Sequence, residues 1–221
     1  MTLPQAADGA VEILAASFLG VLPGEALARI AADGLAGGVL GAGRLLYEPE
    51  LSVIISGRIR AFITGRDARQ LTVGYLSAPS SVGLTHAAGR RYPTAFQCIA
   101  PVRLVMVGNQ RFAELLGTYP RLGWSAAEEI SARLDGVEGE LARVAFGSLR
   151  QRIAYHLLAL LPAGQDDCMP VHQAQLAAAV GSVREVVART LAQLRQQHLV
   201  DVDARGIVIA DRAGLARLVE P

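Results

Sequence analysis

Between Pro120 and Pro162 no proline interrupts the chain, and within that stretch Ile130, Leu134, Val137, Leu141 and Val144 follow one another at alternating spacings of four and three. Apolar residues at that alternation line one side of a helix as a heptad seam, and an internal proline would have removed a backbone donor and kinked it. The spacing predicts one long helix whose apolar stripe runs about two turns beyond what a small domain needs. A helix packed only on its own domain fits the same pattern. A stripe this long would otherwise stay exposed, so the seam is expected between two copies of the chain. Gly136 and Gly139 each lower helix propensity by about 1 kcal/mol, which permits a close approach or a bend at that point.

On the amino-terminal side of this stretch the apolar period changes. Up to about Ile30 the pattern is helical, with Val11, Leu14, Phe18, Leu27 and Ile30 at compatible spacing. Glycine is then dense from Gly34 to Gly43, and five short runs follow: Leu51 to Ser56, Arg58 to Thr64, Gln70 to Leu76, Thr94 to Ala100 and Val102 to Val107. They are rich in Val, Ile, Leu and Phe and separated by Gly, Pro, Asp or Ser, which predicts a small antiparallel barrel or sandwich. In the second run Arg58 and Arg60 alternate with Ile59, Ala61 and Ile63, so the arginines are expected in water and the apolar side chains in a core. Asn109 is placed to cap a short helix through Leu116, closed by Gly117. Beyond the seam, Pro162 to Pro170 is a polar break.

Composition narrows the function classes. With 221 residues, 52% of them hydrophobic, the chain is a folded protein rather than a disordered one. Its longest run without a charged residue, Gln70 to Gly89, holds Pro79, His86, serines and glycines and is no membrane span. The amino terminus lacks the layout of a secretory signal, so a cytoplasmic protein without membrane attachment is expected. Cys98 and Cys168 are too few and too far apart for a disulfide framework or a cysteine-held cluster, and both are expected to be small, part-buried side chains. His86, His156, His172 and His198 have no spacing that suggests a metal site. All 21 basic residues are arginine; its planar fork suits guanine edges and phosphates. The abundance of Ala and Gly explains the same bias through a GC-rich genome, so charge alone does not reveal a nucleic-acid partner.

The carboxyl-terminal part is more specific. Leu176 and Val180 lie four apart on a short helix, Ala177 leaves room for a crossing helix, and Gly181 supplies a tight turn. Val183, Val187, Leu191 and Leu194 then bury a second helix, which makes a helix-turn-helix whose second helix can enter a major groove. Leu199 to Val202 and Ile207 to Ala210 flank Asp203-Ala204-Arg205-Gly206, the pattern of a two-stranded wing. Arg184, Glu185 and Arg189 are not required by the buried face and point outward. Arginine can bond guanine O6 and N7 together, and glutamate can accept from cytosine N4, each good pair discriminating by about 1–3 kcal/mol. A surface pair of Glu185 with Arg189, contributing about 0.3–0.5 kcal/mol, fits the same spacing.

The segment G-S-V-R-E-V-V-A-R-T-L, Gly181 to Leu191, resembles the recognition helix of the cyclic-AMP receptor protein family, the CRP/FNR-type bacterial regulators, which typically read G-x-S-R-E-x-V-x-R-x-L. The resemblance places Ser182, Val183, Arg184, Glu185 and Arg189 at DNA, with Arg184, Glu185 and Arg189 on the three base-reading positions and Val183 in place of the usual serine. Leu51 to Phe62, Phe112 to Pro120 and Ile207 to Arg212 are similar to the family in the same order, so the likeness covers about residues 18 to 212. It implies an α+β chain of three parts: a cyclic-nucleotide-binding-type β jelly roll over 1–120, a dimerisation helix over 121–146, and a winged helix-turn-helix over 147–221. It further implies a bacterial transcription regulator acting as a homodimer on a two-fold double-stranded DNA site, with half-sites about one helical turn apart. A TGTGA-like half-site is the family expectation. A regulator that activates would also contact RNA polymerase, for which no motif here marks a surface.

The family's ligand pocket is not matched. Members that bind cyclic nucleotide carry a glycine-rich turn, a Gly-Glu pair and, about ten residues later, an Arg-Ser or Arg-Thr. Here the corresponding positions are Gly83, Leu84, Arg90, Arg91, Tyr92 and Thr94: Leu84 stands for the glutamate, and Tyr92 for the phosphate arginine unless a one-residue shift brings in Arg91. Leu84 cannot accept from a ribose hydroxyl, and burying that hydroxyl unpaired costs about 1–3 kcal/mol. Weak or absent cyclic-AMP binding is expected, with no cofactor and no metal. The alternative of a cupin-type barrel enzyme needs His and Glu ligands inside the barrel; Leu51 to Leu76 contains neither, so the protein is not expected to be an enzyme.

Overall fold

A computed structural model describes residues 3–35, 38–90, 93–160, 168–169, 173–203 and 206–219. By its contacts the chain forms two compact units, Met1–Ala61 with Gly74–Gly136, and Phe62–Val73 with Val137–Pro221.

The first unit opens with helices α1 (Leu3–Ala16) and α2 (Gly24–Gly34), joined by a short turn of helix at Phe18–Val21. Ser17 caps that turn, its Oγ accepting the Leu19 N–H at 3.1 Å. The strands then come in order: β1 (Val39–Leu40), β2 (Leu45–Leu46), β3 (Ser52–Ser56), β4 (Arg58–Thr64), β5 (Gln70–Ser77), β6 (Ser81–Val82), the one-turn helix α3 (Leu84–Ala87), β7 (Ala95–Cys98) and β8 (Val102–Met106). They form two four-stranded sheets, ordered β1-β8-β3-β6 and β2-β7-β4-β5, the eight strands of a jelly roll. The pairings of β1 with β8, β3 with β8, β3 with β6 and β2 with β7 are antiparallel. Helix α4 (Asn109–Thr118) and the long helix α5 (Arg121–Phe146) follow. The core of this unit joins Leu14, Phe18, Leu27 and Ile30 of the first helical segments to Leu51, Val53, Val105, Phe112 and Leu122, with Phe18 meeting Phe112 edge to face at 6.0 Å. Burying such side chains stabilises a fold by roughly 1.5–3 kcal/mol each. Cys98 is fully buried, and loss of water around it raises its thiol pKa.

Two local expectations are corrected. Arg60 does not face water: it is 6% exposed, donates from Nη1 to Gln97 Oε1 at 3.4 Å, and burial lowers its pKa from the ordinary arginine value. Four successive residues, Ile59, Arg60, Ala61 and Phe62, are buried, so both faces of this interior strand are covered and the alternation carries no wet side. Asn109 is not a cap. Gly108 precedes α4, Asn109 Oδ1 accepts instead from the Leu51 N–H at 3.1 Å, and the helix runs through Gly117 to Thr118.

In the second unit α5 stops at Phe146 and α6 (Leu149–Leu160) begins. A reciprocal cap makes the break: the Ser148 N–H donates to Gln151 Oε1 at 2.9 Å while Ser148 Oγ accepts the Gln151 N–H at 3.2 Å, a capping box. The Arg143 guanidinium lies 3.7 Å from the Tyr155 ring centroid across that break, and Ile153, His156 and Leu157 are buried. Then come β9 (Cys168–Met169), α7 (Gln173–Ala179), α8 (Arg184–Gln196), β10 (Val200–Asp203), β11 (Gly206–Ile209) and α9 (Arg212–Val219). Asp211 caps α9, its Oδ1 accepting the Gly214 N–H at 2.8 Å. The polar break expected at Pro162 to Pro170, apart from β9, and His172 lie outside the described residues.

Candidate nucleic-acid interface

Helix α7 buries Leu176 and Ala177, and Val180 closes it. Gly181 then takes φ +65°, the left-handed conformation that glycine adopts without strain. The Ser182 N–H reaches back to the Ala177 carbonyl at 3.0 Å and the Val180 N–H to the Leu176 carbonyl at 3.0 Å, so the last carbonyls of α7 are satisfied as the chain turns. Ser182 is half-buried in the turn.

Helix α8 sorts its residues by side. Val187, Thr190, Leu191 and Leu194 are buried, and the Thr190 hydroxyl donates to the Val186 carbonyl at 2.9 Å. Arg184, Glu185 and Arg189 are exposed. Among the described residues no hydrogen bond or ion pair engages these three, so Glu185 and Arg189 are not joined on the surface. Two guanidinium forks and a carboxylate in the first two turns are thus free to meet a ligand. Val183, at the N-cap, has the extended backbone of a capping residue (φ −99°, ψ 151°) but no side-chain acceptor.

The wing has Val200 opposite Ile209, Asp201 opposite Val208, Val202 opposite Ile207 and Asp203 opposite Gly206; β9 adds a third strand on β11. Ala204 and Arg205 at its tip lie outside the described residues. Arg195 of α8 reaches Asp201 of β10 at 2.9 Å.

On α5, Leu122 and Ala126 turn inward to the first unit's core. Displaced around the helix are Ile130, Leu134 and Leu141, which are exposed, the last two at 56% and 66%. Val137 and Val144 between them are half-buried. Of the stripe named from the sequence, Ile130, Leu134 and Leu141 are therefore uncovered, and Val137 and Val144 are partly covered.

At the family's ligand pocket, Gly83 takes φ +80° and is buried; a Cβ there would lie 2.3 Å from the Pro49 carbonyl oxygen, so only glycine fits. Leu84 is packed in the core. Arg90 is exposed and Thr94 half-buried, while Arg91 and Tyr92 lie outside the described residues. The sequence reasoning missed a polar cluster just upstream. Fully buried Ser81 donates to Glu129 Oε1 from its N–H at 2.8 Å and from its Oγ at 2.5 Å. Arg133 Nη2 donates to the same carboxylate oxygen at 2.9 Å and to the Ser81 carbonyl at 2.7 Å. Burial lowers the Arg133 pKa, with Glu129 opposing that shift. The i,i+4 pairing of Glu129 with Arg133 was the available signal in the sequence. Among the described residues, no three His, Cys, Asp or Glu side chains gather as a metal site, and no helix is long and apolar enough to cross a membrane.

A helix-turn-helix with a wing, following a jelly roll and a long helix, is an architecture shared with known transcription regulators. Residues 151–218 match the Crp-like helix-turn-helix domain. The cyclic AMP receptor protein of Thermus thermophilus is 25% identical over 170 residues, covering 76% of this chain and 78% of that protein. Among solved structures, a crp/fnr-family transcriptional regulator from Eubacterium rectale superposes with a TM-score of 0.73 at 18% identity, over 85% of this chain and 93% of that one. A CRP/FNR-family regulator from Thermus thermophilus gives 0.70 at 22% identity, over 83% and 98%. Residues 151–218 are thus a Crp-like helix-turn-helix domain, and the chain as a whole resembles transcription regulators of the CRP/FNR type.

Proposed function

We propose that the protein acts as a homodimer that reads a two-fold symmetric duplex through α8, and that its jelly roll has no ordinary cyclic-AMP response. The observation that carries this reading is the face of α8: Arg184, Glu185 and Arg189 stand exposed and unengaged opposite the buried Val187, Leu191 and Leu194. That arrangement suits a donor fork on guanine and a carboxylate on cytosine. The uncovered stripe of Ile130, Leu134 and Leu141 supports a second copy as its cover. Against a cyclic-nucleotide response stand Leu84, packed in the core where the ribose would need an acceptor, and the Glu129–Ser81–Arg133 cluster, whose donors and acceptor already serve one another. The protein is a regulator without enzymatic activity or cofactor, working in the cytoplasm, and a role in activation adds RNA polymerase as a partner.

The test is selection of bound sequences from random duplexes, followed by titration of wild type and Arg184→Ala against the recovered operator and against random DNA. Wild type prefers the operator, both affinities fall steeply with salt, and cyclic AMP leaves them unchanged. Arg184→Ala lowers the operator-to-random ratio by at least about fivefold, the low end for one lost bidentate contact. Equal ratios for the two proteins would refute the base-reading role.

A further inference from the structure

Helix α8 opens with two apolar side chains that its fold does not use. Val183 is 49% exposed and Val186, three residues on, is 40% exposed, while the neighbouring Val187 is fully buried. These are the N-cap and third helical positions, where Ser or Asp and Glu ordinarily satisfy the free N–H groups of a helix start; valine accepts nothing at either. The apolar surface therefore stands in water and displaces the capping chemistry. Its neighbours Arg184 and Arg189 are exposed and unengaged. In sequence Val186 falls between these two arginines with Glu185 beside it, so the start of α8 carries free charge and an uncovered apolar surface together, a combination that complements a polyanion with an apolar feature of its own. In the major groove that feature is the C5-methyl group of thymine.

We propose that Val186, with Val183 beside it, reads a thymine methyl group in each half-site, next to the base pairs met by Arg184, Glu185 and Arg189. Thr190 adds nothing to that surface, since it is buried with its hydroxyl bonded to the Val186 carbonyl. The inference rests on the DNA-reading role of α8 proposed above and extends it from polar to apolar recognition.

The experiment titrates the full chain against the recovered operator and against copies in which each symmetric pair of dT is replaced by dU, which removes the methyl and keeps every hydrogen-bonding atom. Wild type loses affinity by about fourfold per half-site at one thymine position, as expected for one methyl-sized group no longer buried. Val186→Ala, a helix-favouring change at an exposed site, keeps its preference for operator over random DNA but binds the dT and dU operators alike at that position. Val183→Ala reduces the difference in the same direction. Wild type indifferent to dU at every thymine, or Val186→Ala as sensitive as wild type, would overturn the methyl contact. An operator preference lost in Arg184→Ala alongside a flat dU scan would sink this inference and leave the role of α8 intact. No preference of wild type for any duplex would sink both.

Discussion

Val183 has the backbone of a helix cap and the side chain of a core residue. Its dihedral angles leave the first N–H groups of α8 where a hydroxyl oxygen could accept from them, and no side chain does. Restoring that oxygen with Val183→Ser should stabilise the protein by about 1 kcal/mol, raising Tm by about 2–4 °C for a chain of this size. Thermal melts followed by circular dichroism at a helix wavelength would register the shift; a variant melting at or below wild type would mean that the N–H groups are already satisfied. The outside of α8 was legible in the sequence because Val187, Leu191 and Leu194 are inside, but Val183, expected inside with them, is 49% exposed because it stands at the N-cap, before the helical period begins. Arg60 was not legible for the converse reason. Alternation along β4 assigns residues to two faces, but nothing in a strand's own sequence says whether the second face is also covered.

Among the elements, α5 is tied to the sheet by polar atoms as well as by packing, since Glu129 accepts from both Ser81 and Arg133. The two charged side chains are 17% and 22% exposed, so water screens the pair less than it does a surface ion pair. Glu129→Ala would leave the Ser81 donors and the Arg133 guanidinium without their shared acceptor, at a cost of about 1–3 kcal/mol. A lower urea midpoint with unchanged m-value checks this. Ser81→Ala, which keeps the ion pair, should cost less, and equal midpoints for Glu129→Ala and wild type would show the cluster to be energetically idle. The same elements mark where sequence reasoning stops. The five long strands announced themselves by composition, whereas β1, β2, β6 and β9 are two residues each and too short to leave a period. The end of the long helix at 146 came from the family resemblance alone, and the local signal for it went unread: Ser148-Leu149-Arg150-Gln151 has the spacing of a capping box, which apolar repeats do not reveal. Helix α9 went unread as well, though Asp211 with Gly214 three residues on is a helix start.

For the molecule as a whole, the decisive quantity is how many copies assemble. One protomer leaves Leu134 and Leu141 more than half exposed on a helix that packs Leu122 and Ala126 of its first turns into its own core, so these two side chains stay wet unless something outside the protomer covers them. A second α5 is the natural cover because the four-three spacing that makes the stripe also makes it self-complementary across a two-fold axis. Changing both residues to aspartate sets like charges face to face in that seam. Because neither side chain is buried within the protomer, each change should alter the protomer's own fold by no more than about 0.5 kcal/mol, and loss of assembly is then separable from loss of folding. Sedimentation equilibrium should show a wild-type dimer and a monomeric Leu134→Asp/Leu141→Asp variant with unchanged far-ultraviolet circular dichroism. The monomer should bind a single half-site with little change and lose the added affinity of the two-fold operator, since only a dimer engages both halves at once. A wild type that sediments as a single protomer at micromolar concentration, or a double variant that still dimerises, would place the cover of that stripe elsewhere and remove the two-fold operator with it.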